Sequence, residues 1–321
     1  MTLLVSVLVC LSAAAIPLKA QQEGTGNGLQ ISPTRTELLQ VNPGEVKTFT
    51  ISVKNVTQAP VIAKATLNDF ESDGTSGEPK IIVENNRERP PSSLEPFIQG
   101  LRDIELQPGE AEEVELSIDV PGNAAPGAYY GAIRFTAAPG GVDENTDRQV
   151  TLTASVASLV LVEVSGDIRE QIQVRKVQAQ RDGKAGSFFI NPPNELAVEI
   201  KNNGNSFSKP FGRVTINKGK KEVSSYELNN KDPRGNILPG SVRIFTDKLE
   251  NTNSLGRYTA SISVSHGNGG QLITQSVSFW YLPVWFLALL AALVVAVGAG
   301  GFLLYKKKFG KKRKLKQPRK K

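Results

Sequence analysis

Sulfur and imidazole are nearly missing from this chain of 321 residues, which holds one cysteine, one histidine and one methionine. The cysteine, Cys10, lies in an apolar N-terminal stretch. A mature chain without that stretch has no thiol, so neither disulfides nor thiolate chemistry is expected. One histidine, His266, without cysteine partners does not make a zinc or iron site. No metal and no cofactor is therefore expected. Basic residues are also scarce where nucleic-acid binding would need them. The formal charge is +7, but eleven cations and no acid fall in residues 306–321, and without them the remainder stands at −4. A nucleic-acid footprint needs basic residues gathered on a folded domain, so no nucleic-acid partner is expected.

Charge is missing altogether from Tyr281 to Tyr305. As a helix, Val284–Leu304 rises roughly 30 Å, about the hydrocarbon thickness of a bilayer. Lys306, Lys307 and Lys308 follow at once. Lys and Arg cluster on the cytoplasmic side of spans, which places the tail inside and everything before Trp280 outside. Trp280, Tyr281 and Trp285 mark one membrane–water interface and Tyr305 the other. The lipid bilayer is then a partner, and the localisation is the cell membrane, single-pass. Ala288, Ala292, Ala296 and Gly300 recur every four residues along this run. Such a ridge is a candidate helix-pairing face, where another span can approach closely. Leu282-Pro283-Val284-Trp285-Phe286 lies where a sortase signal would lie, but it lacks the Thr-Gly that transpeptidation uses.

At the other end, Leu3–Leu11 is apolar, Ser12–Ala15 is small, and Ala20-Gln21 suits cleavage. Residues 1–20 read as a secretory signal peptide. No Lys or Arg precedes the apolar core, and Leu18 stands where a small residue is preferred, so an uncleaved anchor is the alternative. Residues 21–28 are Gly-rich and polar, a flexible leader. From Leu29 the texture becomes short alternating runs. Val46–Lys54 and Val114–Val120 alternate apolar with polar, the period of strands that bury one face. Pro43-Gly44 and Pro108-Gly109 supply turns before them. Further strands are expected near 29–40, 60–68, 129–137 and 149–164, all in antiparallel sheets. Seven or so strands over 29–165 suggest a β-sandwich. A second set over 166–280 is expected at 168–178, 195–201, 211–217, 221–228, 241–248, 257–265 and 271–280.

An insertion from Asp69 to Gln99 interrupts the rhythm. Ser92 with Glu95 three residues on is a capping-box pattern, which predicts one short helix to about Leu101. Asp69, Glu71, Asp73 and Gly74 resemble the start of a calcium loop, but Lys80 stands where the closing acid belongs. A solvated acidic turn is the better reading. An internal echo links the two halves. Leu106-Gln107-Pro108-Gly109 precedes Gly127-Ala128-Tyr129, and Leu238-Pro239-Gly240 precedes Gly256-Arg257-Tyr258. Tyr129 and Tyr258 are therefore expected to bond backbone at a corner between sheets, a structural role.

Catalytic signals are weak throughout. A nucleophile needs a base beside it, and His266 stands alone in Ser265-His266-Gly267-Asn268-Gly269-Gly270, which reads as a solvated hairpin tip. Glu113 and Glu115 share one outward strand face. Pro139-Gly140-Gly141 reads as a hairpin loop, and no Gly-rich phosphate loop follows a strand and opens a helix. The expectation is a protein that is not an enzyme.

Ile31-Ser32-Pro33-Thr34, Val41-Asn42-Pro43-Gly44-Glu45, Asp69-Phe70 before a Gly-containing loop, Pro126–Ile133 and the long apolar strand to Gly166 together resemble the bacterial WxL-interacting protein family. The similarity is fair over 29–166 and loose over 167–280. The resemblance implies a bacterial cell-surface protein of two Ig-like domains, the first associated with peptidoglycan, the second with other surface or host proteins. It implies no individual binding residue. The fold expected is all-β: two tandem Ig-like β-sandwiches (29–165 and 166–280), then a transmembrane helix (281–305) and a basic cytoplasmic tail (306–321). The function expected is non-enzymatic attachment at the cell envelope, binding wall polymer or another surface protein through exposed strand edges and the 69–99 insertion. The alternative is a structural accessory subunit of a membrane complex, assembled through its span.

Overall fold

A computed structural model describes residues 28–84, 87–139, 154–267 and 272–310. The expected signal peptide (residues 1–20), most of the expected leader, the Pro139-Gly140-Gly141 loop beyond Pro139, the His266 tip beyond Gly267 and the tail beyond Gly310 lie outside the described residues. Strand is the dominant element. The first half holds β1 (Leu29–Ser32), β2 (Arg35–Val41), β3 (Val46–Asn55), β4 (Val61–Asn68), β5 (Phe70–Ser72), β6 (Pro79–Ile81), β7 (Ile98–Gln99), β8 (Ile104–Leu106), β9 (Ala111–Asp119), β10 (Gly127–Pro139) and β11 (Ser155–Val164). The second holds β12 (Ile172–Arg181), β13 (Lys184–Ala185), β14 (Phe188–Phe189), β15 (Glu195–Asn202), β16 (Phe211–Lys218), β17 (Lys221–Leu228), β18 (Val242–Lys248), β19 (Gly256–Ser265) and β20 (Ile273–Tyr281). One helix, α1 (Val284–Gly310), follows.

Each half layers a four-stranded sheet on a five-stranded one. The first half pairs β1-β3-β9-β7 with β2-β11-β10-β4-β8, and β5-β6 stands apart as a hairpin. The second pairs β13-β12-β15-β18 with β14-β20-β19-β16-β17. Alternation drives this layering. Val114, Leu116 and Ile118 of β9 are buried, while Glu113 and Glu115, alternating with them, are exposed. Tyr258, Ala260, Ile262 and Val264 of β19 are buried in the same way. The buried faces meet in two separate apolar clusters. Ile51, Leu116, Ile133 and Phe135 belong to the first, and Leu196, Ile216, Tyr258 and Phe279 to the second. Each fully buried side chain of this size contributes about 1.5–3 kcal/mol over an exposed one.

Several expectations change. Residues 29–40 do not form one strand. The chain breaks at Pro33-Thr34 and changes sheet, β1 pairing antiparallel with β3 and β2 parallel with β11. Proline has no N–H to donate into a ladder, so a switch there leaves no donor unpaired. The sheets are therefore not purely antiparallel, since β14 also runs parallel to β20. The Ser92–Leu101 helix does not form. Glu95 turns its carboxylate to the Arg89 side chain at 2.9 Å. Leu94 and Phe97 are drawn into the first core, and Tyr130 N donates to Ser92 O at 2.9 Å. Burial of those two side chains overrides the local helical preference. α1 starts at Val284 because Tyr281 still belongs to β20 and Pro283 precedes the first turn. It continues through the three lysines to Gly310. The most apolar 18-residue stretch of Val284–Lys308 has a mean hydropathy of 2.6 and is 0% buried against the rest of the chain. It is long and apolar enough to cross a membrane.

Candidate functional site

The two halves meet along a crevice, and its walls come from both. From the first half, the β5–β6 hairpin reaches across to the free edge of β18, where Ile244 N donates to Thr75 O at 2.8 Å. Ala128 N donates to Asn205 O at 2.9 Å, and Asn205 Nδ2 returns to Pro126 O at 3.3 Å. Phe70, Tyr130 and Phe207 meet in sequence as tilted ring pairs, with centroids 5.0 and 6.0 Å apart. Lys209 pairs with Glu37, and Ser206 Oγ bonds the Glu163 carboxylate. The hairpin tip of the 69–99 insertion is thus spent on the other half. Its acidic turn is partly neutralised as well, since Glu71 faces Lys80 at 3.6 Å and Arg87 at 3.4 Å.

Inside the crevice lies a cavity of about 240 Å³ lined by Arg35, Phe70, Glu78, Arg234, Asn236 and Arg243, among others. Its charged lining is three guanidinium groups against one carboxylate. Arg35 is held beside Glu37 on β2. Arg234 lies over the Phe211 ring at 4.8 Å. Arg243 stands on β18, 5.2 Å over the Phe245 ring, and donates to Asn236 O at 2.9 Å. Glycines make room for it. A Cβ at Gly77 would overlap its side chain, and one at Gly235 would fall 2.9 Å from its guanidinium carbon. Burial first, then the like charge of Arg35, pulls Arg243 below its ordinary pKa, and Glu78 opposes this. Arginine nevertheless stays charged. The Asn236 side chain has both its oxygen and its nitrogen buried without a hydrogen-bond partner, as is the Arg35 Nε. Buried polar groups are ordinarily paired. Here a buried amide and a buried guanidinium nitrogen present unfilled hydrogen-bonding capacity beside a positively charged cavity. The arrangement can receive an anionic oxygen ligand, and planar guanidinium groups suit a carboxylate. Among the described residues no cluster of acids and histidine suits a metal ion.

The residues singled out by sequence fall elsewhere. Tyr129 Oη donates to Ala125 O at 3.0 Å and Tyr258 Oη to Ser254 O at 2.6 Å, so both serve as corner residues. His266 is not solvated as expected. It is buried, with Nδ1 3.6 Å from Glu170. Ala288, Ala292 and Ala296 lie exposed along α1, and a Cβ at Gly300 would meet open space. The crevice arginines escaped notice because Arg35 and Arg243 are some 200 positions apart in sequence. The one local signal was Arg243 inside the apolar alternation of Val242–Phe245.

No protein-family model matches the chain, and no curated protein matches it. Solved structures do. The class 5 fimbriae chaperone CfaA is similar with a TM-score of 0.40 and 12% identity, over 80% of this chain and 100% of that one. The E. coli chaperone DraB has a TM-score of 0.33 at 15% identity, covering 79% and 96%. A Salmonella enterica complex of the SafA pilin with the SafB chaperone gives 0.34 at 10%, covering 78% and 95%.

Proposed function

We propose that this chain is a non-enzymatic, single-span cell-surface protein of bacteria. It presents two tandem Ig-like β-sandwiches outside the membrane and binds a carboxylate-bearing wall polymer or surface protein in the crevice between them. The observation that carries the reading is the arginine-lined cavity with its unpartnered Asn236 amide. Three guanidinium groups facing one carboxylate favour an anion, and two flanking sandwiches fix its position. The exposed apolar α1 supports anchoring, and the lysines at its end support an inside tail by the positive-inside rule. Resemblance to WxL-interacting proteins points to peptidoglycan, whose stem peptides carry free carboxylates, as the first ligand to try.

The test is retention of the detergent-solubilised full chain on purified peptidoglycan, beside an Arg35→Gln/Arg243→Gln variant. Retention at low salt that falls at least tenfold in the variant supports the reading. Equal retention of both proteins removes the crevice as the site. No retention of either removes peptidoglycan as the ligand.

A further inference from the structure

We infer that the membrane-facing end of the second sandwich rests in the headgroup layer of an anionic phospholipid leaflet, with Ile190 and Phe188 leading and lysines on the phosphates. This deepens the anchoring reading above and rests on it. The geometry begins with the connector. Only Leu282 and Pro283 separate β20 from α1. Two residues reach at most about 7 Å. The connector is not free to swing either, because Leu282 N donates to Phe189 O at 2.8 Å and Pro283 is buried. A sandwich joined so tightly to a span cannot lift away from the bilayer.

Strand register then identifies what lies at that end. Gly256 and Phe189 are level with Tyr281, and Phe188 is level with Trp280. Lys218 is level with Tyr258, itself level with Phe279, so the β16–β17 turn at Gly219-Lys220 projects the same way. The β14 loop, the start of β19 and this turn therefore collect beside the helix. Their chemistry is that of an interface. Phe188 is 71% exposed, Ile190 55% and Trp280 39%, so three large apolar side chains gather at the surface beside the span. Lys184, Lys220 and Lys221 are exposed around them. Asp182 and Glu222 at this end already have cationic neighbours in Arg181 and Arg213, 3.1 and 3.8 Å away. Glu250 is the remaining exposed acid there. Apolar and aromatic groups with lysines around them, continuous with a span, match the headgroup–acyl boundary.

The experiment places a spin label on the full chain in nanodiscs that hold anionic phospholipid. Cys10 is replaced by serine, and single cysteines are introduced as Ile190→Cys, Val295→Cys and Leu272→Cys. Leu272 is 66% exposed at the opposite end of β20. Collision with a water-soluble nickel chelate is measured at each site. The expected result is Val295 inaccessible, Ile190 at least fivefold less accessible than Leu272, and Ile190 protection falling when Lys184, Lys220 and Lys221 become glutamine. Ile190 as open as Leu272, with Val295 protected, overturns the docking and leaves anchoring intact. Val295 open to the chelate overturns both.

Discussion

Asn55 and Asn202 hold the same place in the two halves. Each is fully buried at the end of a strand, and each accepts at its backbone oxygen from the glycine of a Pro-Gly turn, Gly109 in one case and Gly240 in the other, both at 3.0 Å. Each side chain donates to the carbonyl just before that turn, Asn55 to Leu106 O at 3.1 Å and Asn202 to Ile237 O at 2.9 Å. Asn55→Ala strips partners from buried carbonyls, a loss expected to cost about 2–4 kcal/mol. Asn202→Ala should cost a similar amount. Because the two sites sit in separate cores, their effects should add within about 0.5 kcal/mol. Urea unfolding of the single and double variants measures this.

Tyr258 and Tyr129 make the same corner bond in different surroundings. Tyr258 is fully buried, stacks on Phe279 at 5.5 Å, and meets Ser254 through both backbone and hydroxyl. Tyr129 is half-buried against Phe97, with centroids 4.5 Å apart. Removing a hydroxyl from a buried network costs more than from a wet one. Tyr258→Phe should lose about 1–2 kcal/mol and Tyr129→Phe less than about 1 kcal/mol. Equal losses in chemical denaturation would contradict the difference in burial.

Local pattern carried most of this architecture. Period-two burial marked β3, β15 and β19 within a residue or two and β9 within three, and the Pro108-Gly109 and Pro239-Gly240 turns announced the repeat that the paired asparagines now explain. What stayed hidden depends on distant partners. Nothing near Arg35 says that β2 will run parallel to β11, because that choice is made by Leu159–Val164 more than a hundred residues later. Ser92 and Glu95 look like a cap until Leu94 and Phe97 find a core. His266 looks exposed in a run of glycines until Glu170 closes over it. The crevice arginines become a group only when the two halves of the chain meet.

Gly77 and Arg243 close that meeting point. Gly77 has φ of 75°, a left-handed value that costs a side chain about 1 kcal/mol, and its missing Cβ leaves room for the arginine stem. Gly77→Ala should therefore push the hairpin off β18 without damaging either core. The expected readout is faster hydrogen exchange at the Ile244 amide, which now donates to Thr75 O. Amides in β9 and β19 should keep their protection. Uniform loss of protection would mean that the hairpin contact supports global folding.

Asp247 offers a test by pH. Burial raises its pKa, and Lys231 only partly opposes this. One carboxylate oxygen is buried without a hydrogen-bond partner, as is the Tyr226 hydroxyl. Burial, with the Asp247 charge adding to it, pushes the Tyr226 phenol upward in turn. The folded state therefore binds a proton at Asp247 more tightly than the unfolded chain does. Linkage then fixes the sign: the stabilisation is fully present below the ordinary aspartate value and is lost as pH rises through the raised one. Asp247→Asn keeps a neutral side chain of the same shape at every pH. Its melting temperature should match the parent at the acid end of that window and exceed it at pH 7, where the parent holds a buried charge. A parent and variant whose melting temperatures move in parallel across the window would show that Asp247 ionises as freely in the fold as outside it.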